Sequence, residues 1–165
     1  MKRFLSTILI LSFLLCTTSC YQEETEPKGI AFYYCVSQRD YTSGSTVLSA
    51  EHRADVPEDS LPQALELYLS GPLSPDLLSP FPQNLKILGA YQEGKTVYLT
   101  LSTELASLSG IDLTIACGCL TLTTLAIANA EQVEIRTVSG LLDGQRTIIM
   151  DKNTLLLLDT TVEGE

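Results

Sequence analysis

The sequence contains no tryptophan, a single histidine, and only half as many basic side chains (10 Lys and Arg) as acidic ones (20 Asp and Glu). Each shortage removes a class of function. Without tryptophan, a carbohydrate platform of indole faces is excluded, and only Tyr41, Tyr91 and Tyr98 remain as candidates for stacking on a glycan; their ordinary reading is strand surface. The lone histidine, His52, sits in Ala50-Glu51-His52-Arg53 with Glu51 and Asp55 as nearby acids. No G-x-S-x-G elbow supplies a serine for it to activate, and Ser43-Gly44-Ser45 reads as a turn. The acidic excess repels phosphate backbones, so nucleic acid is excluded as a partner.

Cysteines are few and odd in number once the N-terminus is set aside. Cys35, Cys117 and Cys119 cannot all pair within one chain, and a domain built on disulfides would carry a larger even number. The Cys117-Gly118-Cys119 spacing is wrong for a paired zinc ligand, and on a helix the two side chains point about 200° apart. Buried thiols are expected and no metal or cofactor, while a bridge from Cys35 to Cys117 or Cys119 stays open. Glu23 and Glu24 lie in a polar stretch near the N-terminus, and Glu104 and Asp112 are expected to sit at helix starts, where carboxylates are favourable.

Long hydrophobic runs are also missing. The apolar stretch from Phe4 to Leu15, preceded by Lys2 and Arg3, falls short of the about 20 residues a spanning helix needs, and no other segment comes closer. A basic start and a short apolar core form a signal peptide, residues 1–19. It ends in Thr17-Thr18-Ser19-Cys20, similar to a bacterial lipobox except at Thr17, where leucine is usual. Cys20 is thus the expected lipid-attachment residue, and 20–28, polar and acidic with a proline, is a short tether. Loss of the signal leaves 8 basic side chains against 20 acidic, a formal charge of -12, so membrane attachment has to come from the lipid and not from a basic patch.

Residues 29–165 have the size of one domain. Ile30 to Ser37 is aromatic and β-branched and predicts a strand, with a second short one at Leu48. Ser60 and Gln63 form a capping box with Pro62 in the first turn, and Leu61, Leu65, Tyr68 and Leu69 recur at helical spacing up to Gly71-Pro72. Leu73 to Pro82 holds three prolines and predicts an ordered loop. Asn84 to Tyr91 and Lys95 to Ser102 predict a hairpin, the second arm alternating with Val97, Leu99 and Leu101 inward. Ile111 to Asn129 is apolar and too long for a strand, so it predicts a mostly buried helix with stripes Ile115, Cys119, Leu122, Ala126 and Ala116, Leu120, Thr123, Ile127. Gln132 to Val138 follows as a strand with Val133 and Ile135 inward. Thr147 to Met150 and Leu155 to Leu158 predict a terminal hairpin.

Several local signatures, in this order, resemble the GerMN domain family of sporulation and spore-germination proteins and bacterial lipoproteins. They are Phe32-Tyr33-Tyr34, the helix end Leu65-Glu66-Leu67-Tyr68-Leu69-Ser70-Gly71-Pro72, the strand and exit from Val97 to Leu105, Leu120-Thr121-Leu122-Thr123, and Val133-Glu134-Ile135-Arg136. The resemblance covers about Lys28 to Gly140. It departs from the family at Leu99-Thr100-Leu101, where valine and aspartate are usual, in the proline-rich loop, and in the two helix cysteines. It implies an α+β fold, two helices on one face of a mixed or antiparallel sheet similar to ring-building modules, with a C-terminal hairpin added, and it implies no catalytic residues.

The expectation is a non-enzymatic lipoprotein on the extracytoplasmic face of the bacterial cell membrane. Its partners would be envelope proteins or further copies of itself, with a place in sporulation or germination by analogy. A different class, a peptidoglycan- or glycan-binding protein using Tyr41, Tyr91 or Tyr98, stands beside it, and no ligand-binding residue is otherwise assigned.

Overall fold

The computed structural model describes residues 28–37, 47–57 and 59–154. The expected signal segment, Cys20, the expected tether as far as residue 27, Tyr41, the expected turn at Ser43-Gly44-Ser45 and the expected hairpin arm from Leu155 to Leu158 lie outside the described residues. Along the chain come β1 (Ile30–Val36), β2 (Leu48–Arg53), α1 (Leu61–Leu69), β3 (Leu77–Leu78), β4 (Ile87–Glu93), β5 (Thr96–Leu101), a 3-10 turn (Thr103–Ser107), α2 (Gly110–Ala128), β6 (Gln132–Thr137) and β7 (Ile148–Asp151). The fold is α+β with two helices. Its strands divide into an antiparallel sheet, β2-β1-β3, and a mixed sheet, β4-β5-β6-β7.

The mixed sheet follows from the alternation in β5. Val97, Leu99 and Leu101 are fully buried, and the hairpin partner β4 runs antiparallel with Tyr91 opposite Tyr98. β6 lies parallel to β5, which demands a long crossover, and the 3-10 turn with α2 supplies it. Val133 and Ile135 face inward as expected. β7 then pairs antiparallel with β6, Ile148 opposite Ile135, so the segment expected as the first arm of a terminal hairpin is the fourth strand of the sheet.

Leu113 and every residue from Ile115 to Leu125 in α2 are buried, because the helix packs on β1 of one sheet and on β5 to β7 of the other. A helix apolar on all sides belongs in such a core. Ala126, expected in the buried stripe, is exposed, while Ile127 and Ala128 beside it still pack on the core; Asn129, with a left-handed φ of 48°, ends the helix. By length and mean hydropathy (1.8) α2 matches a spanning helix, correcting the expectation that no segment comes closer to one than the signal. Instead, 67% of its apolar window is buried within the domain.

Helix α1 begins after Ser60, whose backbone is extended as at a cap, but no side-chain bond from Ser60 forms, so the expected capping box is not made. Its end is as expected: Gly71 takes φ 99° and its N–H reaches the Tyr68 carbonyl at 3.1 Å. The proline-rich loop is more ordered than its composition predicts. Leu77 and Leu78 form β3 by pairing with Val36 and Cys35, and the Glu51 carboxylate accepts from the Leu73 and Ser74 amides at 2.9 and 2.8 Å.

Because β3 is only two residues long, it does not reach Tyr33, whose backbone groups face the same side of β1 as those of Cys35. Two helix side chains take its place. The Tyr33 N–H donates to Thr123 Oγ1 at 2.9 Å, and its carbonyl accepts from the Tyr68 hydroxyl at 2.6 Å. The Tyr34 hydroxyl donates in return to the Tyr68 carbonyl at 2.9 Å. Burial pushes both phenols well above their ordinary range, so both remain donors. The Tyr68 ring packs 5.2 Å from Phe32, 5.0 Å from Tyr34 and 5.4 Å from Phe81, fastening α1 to the three-stranded sheet.

Candidate interaction face on the four-stranded sheet

Alternation and register together define one surface. With Val97, Leu99, Val133 and Ile135 pointing at the helices, their neighbours in sequence must point the other way. Tyr91, Tyr98, Glu134 and Ile149 are direct partners across β4, β5, β6 and β7, so they form one row across the whole sheet. The Tyr91 and Tyr98 rings stack at 5.0 Å and 13°. Tyr91 and Ile149 are 52% and 55% exposed, large values for apolar side chains on a sheet. A second row holds Thr100 and Arg136, joined by a 3.0 Å hydrogen bond from Arg136 Nε to Thr100 Oγ1. An extra residue in β4 between Ile87 and Gly89 is a bulge, and its Leu88 is 52% exposed at the sheet edge. The face can bind a flat partner of mixed polarity.

The residues around His52 assemble differently from a catalytic site. Glu51 and Arg53 share one side of β2, and Arg53 is almost completely buried, with its guanidinium 5.9 Å from the Phe32 ring centroid. Asp55 receives both Nε and Nη2 of Arg53, at 2.8 and 2.7 Å, and Glu51 lies 3.5 Å from Nη1. That fork holds the Asp55 carboxyl below its ordinary range and raises the Arg53 guanidinium. His52 points to the opposite side and is exposed. The acids expected beside it are thus committed to Arg53 and to the loop at Leu73.

Cys35, Cys117 and Cys119 are all buried. Cys117 is a free thiol, so a bridge from Cys35 to Cys117 is not formed, and burial with the nearby Asp143 carboxylate pushes it up to about 12. Cys35 and Cys119 lie in a separate cluster with Leu48, Ile115 and Leu122. Among the described residues no group of three or more His, Cys, Asp or Glu side chains has the arrangement of a metal site. Glu104 and Asp112 occupy first turns, as expected, and a bond from Ser102 is the main cause holding the Glu104 carboxyl below its ordinary range.

The sequence reading did not single out Asp143 or Arg146 and met Arg136 only within a family signature. Asp143 does what Ser109 does not: its Oδ2 accepts from the Gly110 N–H at 2.8 Å, capping α2 from a distant turn. Only the Asp143-Gly144 turn between apolar stretches hints at this in the sequence.

Residues 32–144 match the family model described as Germane: Sporulation and spore germination. The chain belongs to the Germane family. Its match begins inside β1 and ends in the Asp143-Gly144 turn, so β7 lies beyond it. No curated protein sequence is similar enough to count as a match. The tandem GerMN domains of the sporulation protein GerM from Bacillus subtilis share the fold, at TM-score 0.53 and 16% identity over 79% of this chain. The alignment takes in 47% of that structure, so the chain spans about half its length. A candidate lipoprotein from Clostridium perfringens aligns at TM-score 0.48 and 16% identity, over 75% of this chain and 87% of its own. In this Germane domain the signatures Phe32-Tyr33-Tyr34 and Leu65 to Pro72 prove to be the two sides of the β1–α1 contact, which assigns them to packing.

Proposed function

We propose that the protein is a non-enzymatic Germane interaction module, anchored through lipid on Cys20 at the extracytoplasmic face of the membrane, that assembles with an envelope protein or a second copy. The observation that carries this reading is the in-register row Tyr91, Tyr98, Glu134 and Ile149 on a sheet face that neither helix covers. A face that groups two tyrosines and an isoleucine in one row, with the charged Glu134, Arg136, Glu93 and Asp151 in and around it, has the mixture of aromatic, apolar and polar groups found at protein interfaces. The family's link to sporulation and germination makes a spore-forming stage the natural setting.

Site-specific photocrosslinking tests it, with the photoreactive residue at Tyr91, at Ile149 and, as control, at His52 on the other sheet. Discrete adducts from the first two sites in growing or sporulating cells, absent from the third, are expected. Equal labelling from all three overturns the face as an interface. Anchoring has its own test: Cys20→Ser should move the protein from the membrane fraction to the medium, and unchanged retention refutes it.

The stacked Tyr91 and Tyr98 pair favours a second reading, binding of a wall glycan, because a phenol face can receive a sugar ring. Retention on isolated sacculi that Tyr91→Ala and Tyr98→Ala abolish would support it over protein assembly.

A further inference from the structure

The end of β6 and the segment leading into β7 enclose a cleft of about 470 Å³ lined by Arg136, Thr137, Val138, Ser139, Leu141 and Arg146, among others. We infer that this cleft is a binding site for a carboxylate at the end of a peptide carrying short aliphatic side chains. The cleft shares Arg136 with the margin of the sheet face, but its ligand is of a different kind, and the comparison of acid with amide tests it separately from crosslinking at Tyr91 and Ile149.

Charge sets the chemistry. The whole sequence has twice as many acids as bases, so its few guanidiniums have carboxylates to spare. Arg53 uses two of them, and among the described residues the remaining ion pair is Lys95 with Glu131. Arg136 and Arg146 take part in none of these pairs, and both line the same cleft. Arg136 is held along the sheet by its Nε bond to Thr100, which leaves its terminal amino groups to meet a ligand. Two guanidiniums with the hydroxyl of Ser139 form a donor set suited to a planar, two-oxygen anion, while Thr137 spends its own proton on the Ser139 carbonyl and holds the rim.

The walls set the rest of the ligand. Val138 and Leu141 are 58% and 53% exposed, so small apolar groups beside the anion would cover them. A polyanionic polymer fits worse. It would run on over the row that contains Glu134 and the one that contains Glu93 and Asp151, in a chain of net charge -10, whereas a single terminal carboxylate meets only the two arginines.

The rim is built before any ligand arrives. Val138 N–H donates to the Leu101 carbonyl at 3.0 Å, Thr137 Oγ1 to the Ser139 carbonyl at 3.0 Å, and Leu142 and Gln145 exchange bonds of 2.8 and 2.9 Å. Leu142 is fully buried, and Asp143 ties the turn to α2. Gly140 has φ 100°, a backbone conformation that side-chain-bearing residues rarely adopt, so the bend depends on glycine. A preformed rim reduces the ordering cost of binding.

The test is nitrogen-15 NMR of the full chain with three probes: N-acetyl-Ala-Ala as free acid, the same dipeptide as C-terminal amide, and inorganic phosphate. The free acid should shift the backbone signals of residues 137–141 and the Arg136 and Arg146 side chains. Its amide should not. Arg136→Gln and Arg146→Gln should each weaken binding by about tenfold or more, with core signals unchanged because both side chains are exposed. Equal binding of the amide, binding of phosphate as tight as the free acid, or no shift at millimolar peptide would each overturn the assignment. The comparison of acid, amide and phosphate needs no variant, so it decides even if a substitution fails to fold.

Discussion

Two neighbouring threonines on α2 offer the sharpest check of how the two sheets are joined. Thr123 and Thr124 are both fully buried. Thr123 Oγ1 accepts the Tyr33 N–H, the group that β3 is too short to reach, whereas Thr124 Oγ1 has no partner. Replacing each by valine changes the same atoms on the same helix, and threonine and valine have similar helix propensity. Thr123→Val removes a bond worth about 1 kcal/mol and leaves an amide unsatisfied, so it should destabilise by about 1–3 kcal/mol. Thr124→Val removes a hydroxyl that is buried without a bond, so it should be neutral or stabilise by up to about 1 kcal/mol. Urea denaturation would read both as shifts in midpoint at unchanged slope. If the two variants move in the same direction by similar amounts, the account of Tyr33 as a strand residue completed by helix side chains is wrong.

Three further outcomes follow from the same fold. Asp143→Ala should cost about 1 kcal/mol, because it uncaps Gly110 and Ser109 offers no substitute, and Asp143→Asn should recover much of that in thermal denaturation. Asp55 is held below its ordinary range by Arg53, so its contribution is present above the unfolded-state value of about 4 and is lost as pH falls below it through the lower folded-state value; Asp55→Asn should therefore flatten the acid limb of the stability profile, and an unchanged slope would refute the coupling. Cys117, buried and pushed up to about 12, should resist alkylation in the native protein at pH 8 and react once urea unfolds it, as mass spectrometry would show; rapid native labelling contradicts its place in the core.

Much of the fold is legible from local pattern. The alternation of Val97, Leu99 and Leu101, the length and apolarity of the run that became α2, and the Gly71-Pro72 stop each carry their own physical cause, and each element formed where that cause placed it. The Ser60 capping box failed because the signal shows only that a bond is available, while the side chain's surroundings decide whether it forms. In the same way the composition around His52 brings acids near it in sequence. A β-strand sends neighbours to opposite sides, so Glu51 and Arg53 meet and His52 does not join them.

Sequence by itself determined the α+β class, the two helices, the hairpin and the membership of the Germane family, because these rest on period, propensity and short motifs that act within a few residues of one another. Only the tertiary structure decided that the strands form two sheets, that Tyr91, Tyr98, Glu134 and Ile149 stand in one row, that Arg136 and Arg146 line one cleft, and that Asp143 caps a helix 33 residues earlier in the chain. Those depend on register and on contacts distant in sequence, and no local pattern encodes which strand a buried face will meet.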